Sequence, residues 1–222
     1  MNFDFSYMVE LIPSILKYLP IVLYMTVFSF ILAIVIGVLF AIIIKNKVKV
    51  LYPVSLMLIS YFRGVPSLIQ IFIFYFGLPQ LFPSMSTMDA VTAVILALSV
   101  RNAAYLSEVF RSAFTAVDKG QTEAAISVSM TRWQTFTRVV LPQATRIAIP
   151  PTGNYFIILF KETSLAFTIG VTDMLAHAKL EAAATYKFLE AFLAVGLIYW
   201  AATIIFTYIQ SKVEWQVEKP YR

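Results

Sequence analysis

The stretch Gly120–Met130, GQTEAAISVSM, places a run of Thr, Ser, Gln and small residues inside a chain that is 60% hydrophobic. It is too polar to span a membrane, and TEAAISVS begins with good helix formers, so a short helix is predicted there. TRWQ follows, where Thr131 is placed to cap a second helix while Gln134 reaches back, as in a capping box. Two short helices joined by a bend, ending near Leu141-Pro142, form a rigid polar surface set between two very apolar regions.

Those regions decide the class. The 222 residues include 15% aromatic and only 13% charged side chains, with a mean hydropathy of +0.81. That is far more apolar than a soluble domain and marks an integral membrane protein, with the lipid bilayer as its main partner. The 17 Lys and Arg against 12 Asp and Glu are spread along the chain, which argues against a nucleic-acid surface and for topology markers. Cysteine is absent, removing disulfides, thiolate metal sites and Cys nucleophiles, and the single His177 builds no metal site alone. The start, MNFDFSYMVE, is acidic where a secretory signal is basic, so no cleaved leader is expected.

A bilayer core of ~30 Å takes about 20 apolar helical residues. Five stretches qualify: Leu19–Ile44, Leu51–Phe82 broken by YFRGVPSL, Thr87–Val117, Ile147–Val171 and Phe188–Gln210. The expected fold is an all-α polytopic membrane helix bundle of five transmembrane helices. Residues 1–18 are expected to lie along the membrane surface, residues 19–210 to form the transmembrane domain and residues 211–222 a cytoplasmic tail. Basic residues crowd the ends after the first, third and fifth spans (Lys45, Lys47, Lys49; Lys119, Arg132, Arg138, Arg146; Lys212, Lys219, Arg222). The other side has only Lys17, Lys179 and Lys187. The positive-inside rule then puts the N-terminus outside, the C-terminus in the cytoplasm and Gly120–Met130 on the cytoplasmic face.

The segment EAAISVSMTRWQTFTRVVLPQA resembles the EAA signature of the permeases of ABC importers. Glu123, Ala124, Ala125, Val139, Leu141 and Pro142 match it. Ser129 stands where the family has Gly; serine permits a close bend but disfavours positive φ. FRGVPSLIQIFIFYFGLPQ, NAAYLSEVFRSAFTAVDKGQTEAA, PPTGNYFIILFKETSLAFTIGV and FLAVGLIYWAATIIFTYIQ are similar to the polar amino acid branch, so the resemblance covers Leu19 to about Gln210. FRGVP, ETSLAFTIGV and VEKPYR look most similar to L-cystine permeases of Gram-positive bacteria. The resemblance implies a type I ABC importer permease fold in a bacterial plasma membrane, importing L-cystine or another amino acid such as glutamine, arginine or histidine. It implies that residues 118–142 form a coupling loop, with Glu123, Ala124, Ala125, Ser129, Leu141 and Pro142 engaging a cytoplasmic ATPase subunit. Two ATPases, a second permease subunit and an extracytoplasmic amino acid binding protein complete the expected assembly, the permease pair being a homodimer or a heterodimer. No phosphate-binding G-x-x-x-x-G-K-[S/T] loop is present, so this chain is expected to be non-catalytic and to bind no cofactor; ATP and Mg belong to the partner ATPase.

Ionisable groups at membrane depth are expensive and become site candidates. Arg101, 14 residues past Thr87, lies about 21 Å into its helix, too deep for easy snorkelling. Tyr105 shares its face, four residues on. Lys161 and Glu162 lie 14 and 15 residues past Ile147. A zwitterionic amino acid fits this set: Arg101 and Asn102 for the carboxylate, Glu162 for the ammonium, with hydrogen bonds from Tyr105, Asn154 and Ser164. The alternative is an internal salt bridge, Arg101 or Lys161 to Glu162, that only fixes packing. In RGVP, Pro66 suits the first turn of a restarted helix, whose free N–H groups would face the path; the alternative is a simple kink. Gly37 and Gly196 mark expected close helix contacts.

Three rival classes are weaker. A secondary transporter usually shows an inverted repeat, which five helices do not divide into. An intramembrane hydrolase needs a nucleophile with a base or a metal motif. A channel would need no ATPase.

Overall fold

The computed structural model describes residues 3–219; the last three residues of VEKPYR, including the basic Arg222, lie outside them. Among the described residues all regular structure is helical. The chain runs through α1 (Phe5–Leu16), α2 (Leu19–Lys45) and α3 (Leu51–Gly64). Next come α4 (Ser67–Phe72), a π turn at Ile73–Gly77, α5 (Leu78–Leu81) and α6 (Ala90–Ala116). After α7 (Lys119–Ser127), α8 (Arg132–Thr135) passes through a π turn at Phe136–Val140 into α9 (Leu141–Glu162). A 3-10 turn, Thr163–Ile169, precedes α10 (Met174–Thr185), and α11 (Phe188–Glu218) closes the chain.

Helices α2, α6 and α11 are each long and apolar enough to cross a membrane, and two helix pairs bent by 113° and 52° make five spans when each pair counts as one. The chain is thus the expected all-α multi-pass bundle. Burial ranks the long helices: the apolar stretch of α6 is 61% buried, against 22% for α2 and 17% for α11. Helix α6 is therefore the central post, and the other two turn much of their apolar surface outward, as lipid-facing helices do.

The contact of α2 with α6 is built from small residues. Ser29, Ala33, Gly37 and Ala41 recur every four positions on α2 and are all buried, facing an α6 stripe rich in alanine (Ala93, Ala97, Ala103, Ala104). Small side chains let two backbones approach where lipid offers no hydrophobic drive for association. A Cβ on Gly37 would stand 3.1 Å from the Leu106 Cβ and 3.2 Å from the Ala103 carbonyl oxygen. Gly196, expected to mark a similar contact, has nothing within 4 Å of an added Cβ, because it lies on an open part of α11.

Three boundaries differ from the sequence reading. The fourth span was expected to start at Ile147, after a second short helix ending near Leu141-Pro142; instead α8 continues through the π turn into α9. Proline removes an interior helix hydrogen bond, and the wider turn just before Pro142 absorbs that loss. Helix α10 was not expected as a separate element; Asp173 starts it by accepting the Ala176 N–H at 2.8 Å. Helix α11 runs beyond Gln210 to Glu218.

The amino-terminal helix α1 packs into the bundle. Met8, Leu11 and Ile15 fall on one helical face and join a buried cluster with Ala178, Ala182, Ala191 and Ala194 of α10 and α11. The Lys187 ammonium meets the Asp4 carboxylate at 2.6 Å, and the Asp4 N–H donates to Glu190 Oε1 at 3.0 Å.

Candidate functional site

Among the described residues, a charged cluster inside the bundle and an exposed helical loop at one end of it are the sequence-predicted candidates for function.

The cluster forms where α6, α9 and the start of α4 converge. The break between α3 and α4 follows from RGVP. Pro66 disfavours helix at Val65, which is extended (φ −95°, ψ 136°), so the chain turns through 113° before Ser67 restarts it. Pro66 is the cap at φ −58° and ψ 143°, one position before the expected first turn, and the bend far exceeds a kink. The buried Gln70 holds the break by donating from Nε2 to the Phe62 and Val65 carbonyls at 2.9 and 2.8 Å. Ser67 is thereby carried into the bundle interior.

There the Arg101 guanidinium pairs with the Glu162 carboxylate, Nη1 to Oε1 at 2.9 Å, each side chain only 17% exposed. Ser67 Oγ donates to Glu162 Oε1 at 3.2 Å, and Asn102 Nδ2 donates to Leu98 O at 2.9 Å and Glu162 Oε2 at 3.4 Å. Half-burying an ion pair is sustainable because further hydrogen bonds satisfy the carboxylate. The satisfaction is incomplete on the other side. Arg101 Nε and Asn102 Oδ1 are buried without a partner among the described residues, leaving one donor and one acceptor beside the ion pair. Tyr105 is one turn along, its ring 5.1 Å from the Arg101 guanidinium carbon, and its hydroxyl donates to the Arg63 carbonyl at 3.1 Å.

The structure thus brings Arg101, Asn102, Tyr105 and Glu162 together. Ser164 is two residues past Glu162, but its hydroxyl donates to the Lys161 carbonyl at 2.7 Å. Asn154 points elsewhere: its Oδ1 accepts from Gln210 Nε2 of α11 at 3.4 Å. Lys161 is exposed, so of the two candidate internal ion pairs the one formed is Arg101 with Glu162. Ser67 was missed by sequence reasoning. Its signal was present, since the first hydroxyl after a helix-breaking Pro points wherever the restarted helix begins.

The exposed loop contains the polar stretch Gly120–Met130. Asp118 starts α7 by accepting the Gly120 N–H at 2.7 Å. The helix ends with Ser129 N–H on Ile126 O (2.9 Å) and Met130 N–H on Ala125 O (3.1 Å), the paired bonds of a Schellman motif. That motif needs a left-handed residue at the position Ser129 fills, and Ser129 has φ +62°. The next helix opens with the capping box read from the sequence: Gln134 N–H to Thr131 Oγ1 at 3.2 Å, Thr131 N–H to Gln134 Oε1 at 2.9 Å. Glu123, Ala124, Ser129, Leu141 and Pro142 are exposed, whereas Ala125 turns inward and is buried. Ile126, Val128 and Trp133, exposed by 53%, 70% and 72%, add an apolar component that the sequence reading did not include. These large exposed apolar side chains on a capped loop make it a candidate docking surface.

Comparison with known proteins places the whole chain in a family. Residues 33–218 match the family model described as binding-protein-dependent transport system inner membrane component. The chain is 51% identical over 219 residues to the probable amino-acid permease protein YxeN of Bacillus subtilis (strain 168), covering 99% of this chain and 98% of that protein. It is 34% identical over 221 residues to the L-cystine transport system permease protein TcyL of the same organism, covering 98% and 92% of the two chains. Its fold matches a crystal structure of an amino acid ABC transporter with histidines, at a TM-score of 0.89 and 31% identity, over 97% of this chain and 100% of that one. The chain therefore belongs to the family of inner membrane components of binding-protein-dependent transport systems, multi-pass proteins of the bacterial plasma membrane.

Proposed function

We propose that this chain is the permease subunit of an ATP-driven amino acid importer, and that L-cystine is its substrate. The observation that carries the reading is the Arg101–Glu162 ion pair with an unpartnered donor, Arg101 Nε, and an unpartnered acceptor, Asn102 Oδ1, beside it. An amino acid zwitterion complements all four groups. Its carboxylate takes Arg101 from Glu162, and its ammonium takes Glu162 and Asn102 Oδ1. The buried pair is exchanged for two substrate pairs, so no charge is stranded in low dielectric during passage.

Transport follows an alternating-access scheme. The N-terminus is outside and the α7–α8 loop is cytoplasmic, so Glu123, Ala124, Ile126, Val128 and Trp133 face an ATPase subunit. A capped loop joined to α9 without a break transmits the motion of that ATPase to Glu162, at the far end of the same helix. A second permease subunit completes the path, ATP and Mg are bound and hydrolysed by the ATPase pair, and a separate binding protein delivers the substrate.

The cluster recognises groups common to all amino acids, and the cystine assignment is supported by the similarity to TcyL. The arginine transport permease ArtQ of Bacillus subtilis is 36% identical over 214 residues, which makes arginine the competing substrate. The test is uptake of radiolabelled L-cystine into vesicles holding this chain, its ATPase and its binding protein. The proposal expects strict ATP dependence and competition by cystine-like compounds. Stronger competition by arginine would move the substrate, and uptake without ATP would refute the importer.

A further inference from the structure

Arg63 is a charged residue without a charge partner. It lies 12 residues past Leu51, about 18 Å along α3, and is exposed from this single chain. Among the described residues no carboxylate lies within ion-pair distance of it. Its guanidinium carbon instead stands 5.5 Å from the centroid of the Tyr105 ring, the ring that also receives Arg101 at 5.1 Å. Two guanidinium groups therefore share one aromatic ring, and only Arg101 is neutralised. A lone guanidinium at membrane depth is tolerated where it faces a polar path, and it marks the place an anion would relieve.

The surroundings provide such a path. Arg63, Ser60, Tyr105 and Glu108 line a cavity of about 460 Å³. Arg63, Tyr105 and Glu108 also line a second cavity, of about 380 Å³, with Ser112, Pro151 and Tyr155. These volumes lie within the ~300–1,000 Å³ of small-molecule sites. Glu108 has one oxygen, Oε2, held by Arg111 at 2.6 and 3.1 Å; Oε1 has no partner among the described residues. Arg63 and Glu108 line the same cavity yet do not pair, which leaves a gap bounded by a cation and a free carboxylate oxygen. Arg101, Tyr105, Glu108 and Ser112 follow each other at helical spacing along α6, so the cavity continues the stripe that begins at the charged cluster.

We propose that Arg63, Glu108 and Tyr105 form a second amino acid station, beyond Tyr105 from the Arg101–Glu162 cluster. Arg63 takes the α-carboxylate, Glu108 Oε1 takes the α-ammonium, and the Tyr105 ring is the partition between the two stations. The inference rests on the importer reading above. In that orientation α6 runs inward, so this station is the cytoplasmic one, occupied after the cluster and before release.

A station open to the cytoplasm is also reached by substrate already inside, which gives a test that a packing role would not satisfy. Vesicles containing this chain, its ATPase and its binding protein are given radiolabelled L-cystine, L-arginine or L-glutamine on the binding-protein side. Unlabelled amino acid of the same kind is placed at high concentration with ATP on the ATPase side. The unaltered complex is expected to show ATP-driven uptake of one of the three, slowed by that amino acid on the ATPase side. Arg63→Gln is expected to lower uptake about tenfold or more, the effect of losing a charge-assisted contact, and to abolish the slowing of what remains. Arg63→Lys is expected to restore both in part. If Arg63→Gln does not assemble, Glu108→Gln, which keeps shape and removes charge, is expected to abolish the slowing. No ATP-driven uptake by the unaltered complex overturns the importer reading and this inference together. ATP-driven uptake with no slowing, or with slowing unchanged in Arg63→Gln, overturns the second station alone. Loss of the permease pair in native mass spectra of both Arg63 variants would overturn it in favour of a subunit contact.

Discussion

Arg101 on α6 and Glu162 at the end of α9 are 61 positions apart in sequence, and their side chains meet at 2.9 Å with 17% of each exposed. A half-buried pair adds little net stability, because desolvation offsets most of the attraction, while removing one partner leaves the other unpaired. Ser67 and Asn102 also hold the Glu162 carboxylate by neutral hydrogen bonds, which would remain if Arg101 turned to a substrate carboxylate as proposed. Arg101→Met is accordingly expected to destabilise the bundle by about 1–3 kcal/mol by leaving the half-buried Glu162 without its charge partner; a lowered melting temperature in detergent would report it, and an unchanged one would mean that the pair contributes nothing to packing.

The α2–α6 contact has no room at Gly37. Gly37→Leu must push aside Leu106 and the Ala103 carbonyl and is expected to destabilise the bundle by about 1–3 kcal/mol. Gly196→Leu, facing open space, is the control and should melt like the unaltered protein. Equal melting of the two variants would refute the close approach.

Ser129 occupies a left-handed position that a side chain pays for. Ser129→Gly is expected to stabilise the end of α7 by about 1 kcal/mol, and Ser129→Val to loosen it by a similar amount or more. Hydrogen exchange of the Ala125–Met130 amides reads both directions, and slower exchange in the valine variant would contradict the assignment.

If the α7–α8 loop docks an ATPase, Glu123→Lys, Ala124→Asp and Trp133→Ala should each reduce co-purification of the ATPase, by roughly tenfold for the first two, without affecting membrane insertion. Full retention of the ATPase by all three would remove the loop from the interface.

The Asp4–Lys187 pair fixes the start of α1 and titrates at the extremes only. Lys187 holds the Asp4 carboxyl below the ordinary carboxylate range, and Asp4 holds the Lys187 ammonium above its ordinary range. The Asp4 contribution is present above the unfolded carboxyl pKa and is lost as pH falls through the lowered one. That of Lys187 is present below the unfolded ammonium pKa and is lost as pH rises through the raised one. Proteolytic sensitivity of α1 should therefore be flat between about pH 5 and 9 and should increase across that whole window in Lys187→Met. A sharp change near pH 7 in the unaltered protein would point to a different anchor.

Local chemistry was the legible part of this chain. The apolar stretches, the Pro66 break and the Thr131–Gln134 capping box all depend on residues within a few positions of each other, and each stands close to where the sequence puts it. The positions of Arg101 and Glu162 along their helices were less legible: α6 begins at Ala90 and not Thr87, which shortens the Arg101 distance from about 21 to about 17 Å, and α9 begins at Leu141 and not Ile147 and ends at Glu162. Their meeting was one of two candidate pairings, and only the packing of α6 against α9 excludes Lys161. Residues that act across the fold were less visible. Ser67 enters the cluster through a 113° turn whose angle no local signal specifies, and Asn154 left it because α9 turns that face toward Gln210 of α11. Ala125 is grouped with Ala124 by the sequence, but consecutive helical positions face different ways, and Ala125 is the buried one of the two.

The most direct test of the account is uptake by Glu162→Gln in vesicles with the ATPase and binding protein, alongside co-purification of the ATPase. Gln keeps the shape and one acceptor oxygen, gives up the hydrogen bonds accepted by the other oxygen, and removes the charge proposed to hold a substrate ammonium. The account predicts a fall in uptake of about 100-fold, near the ~3 kcal/mol of a strong charge-assisted contact, with the assembly intact. Uptake at the unaltered rate by an intact Glu162→Gln complex would contradict it, and the ion pair would then be a packing element with the substrate passing elsewhere.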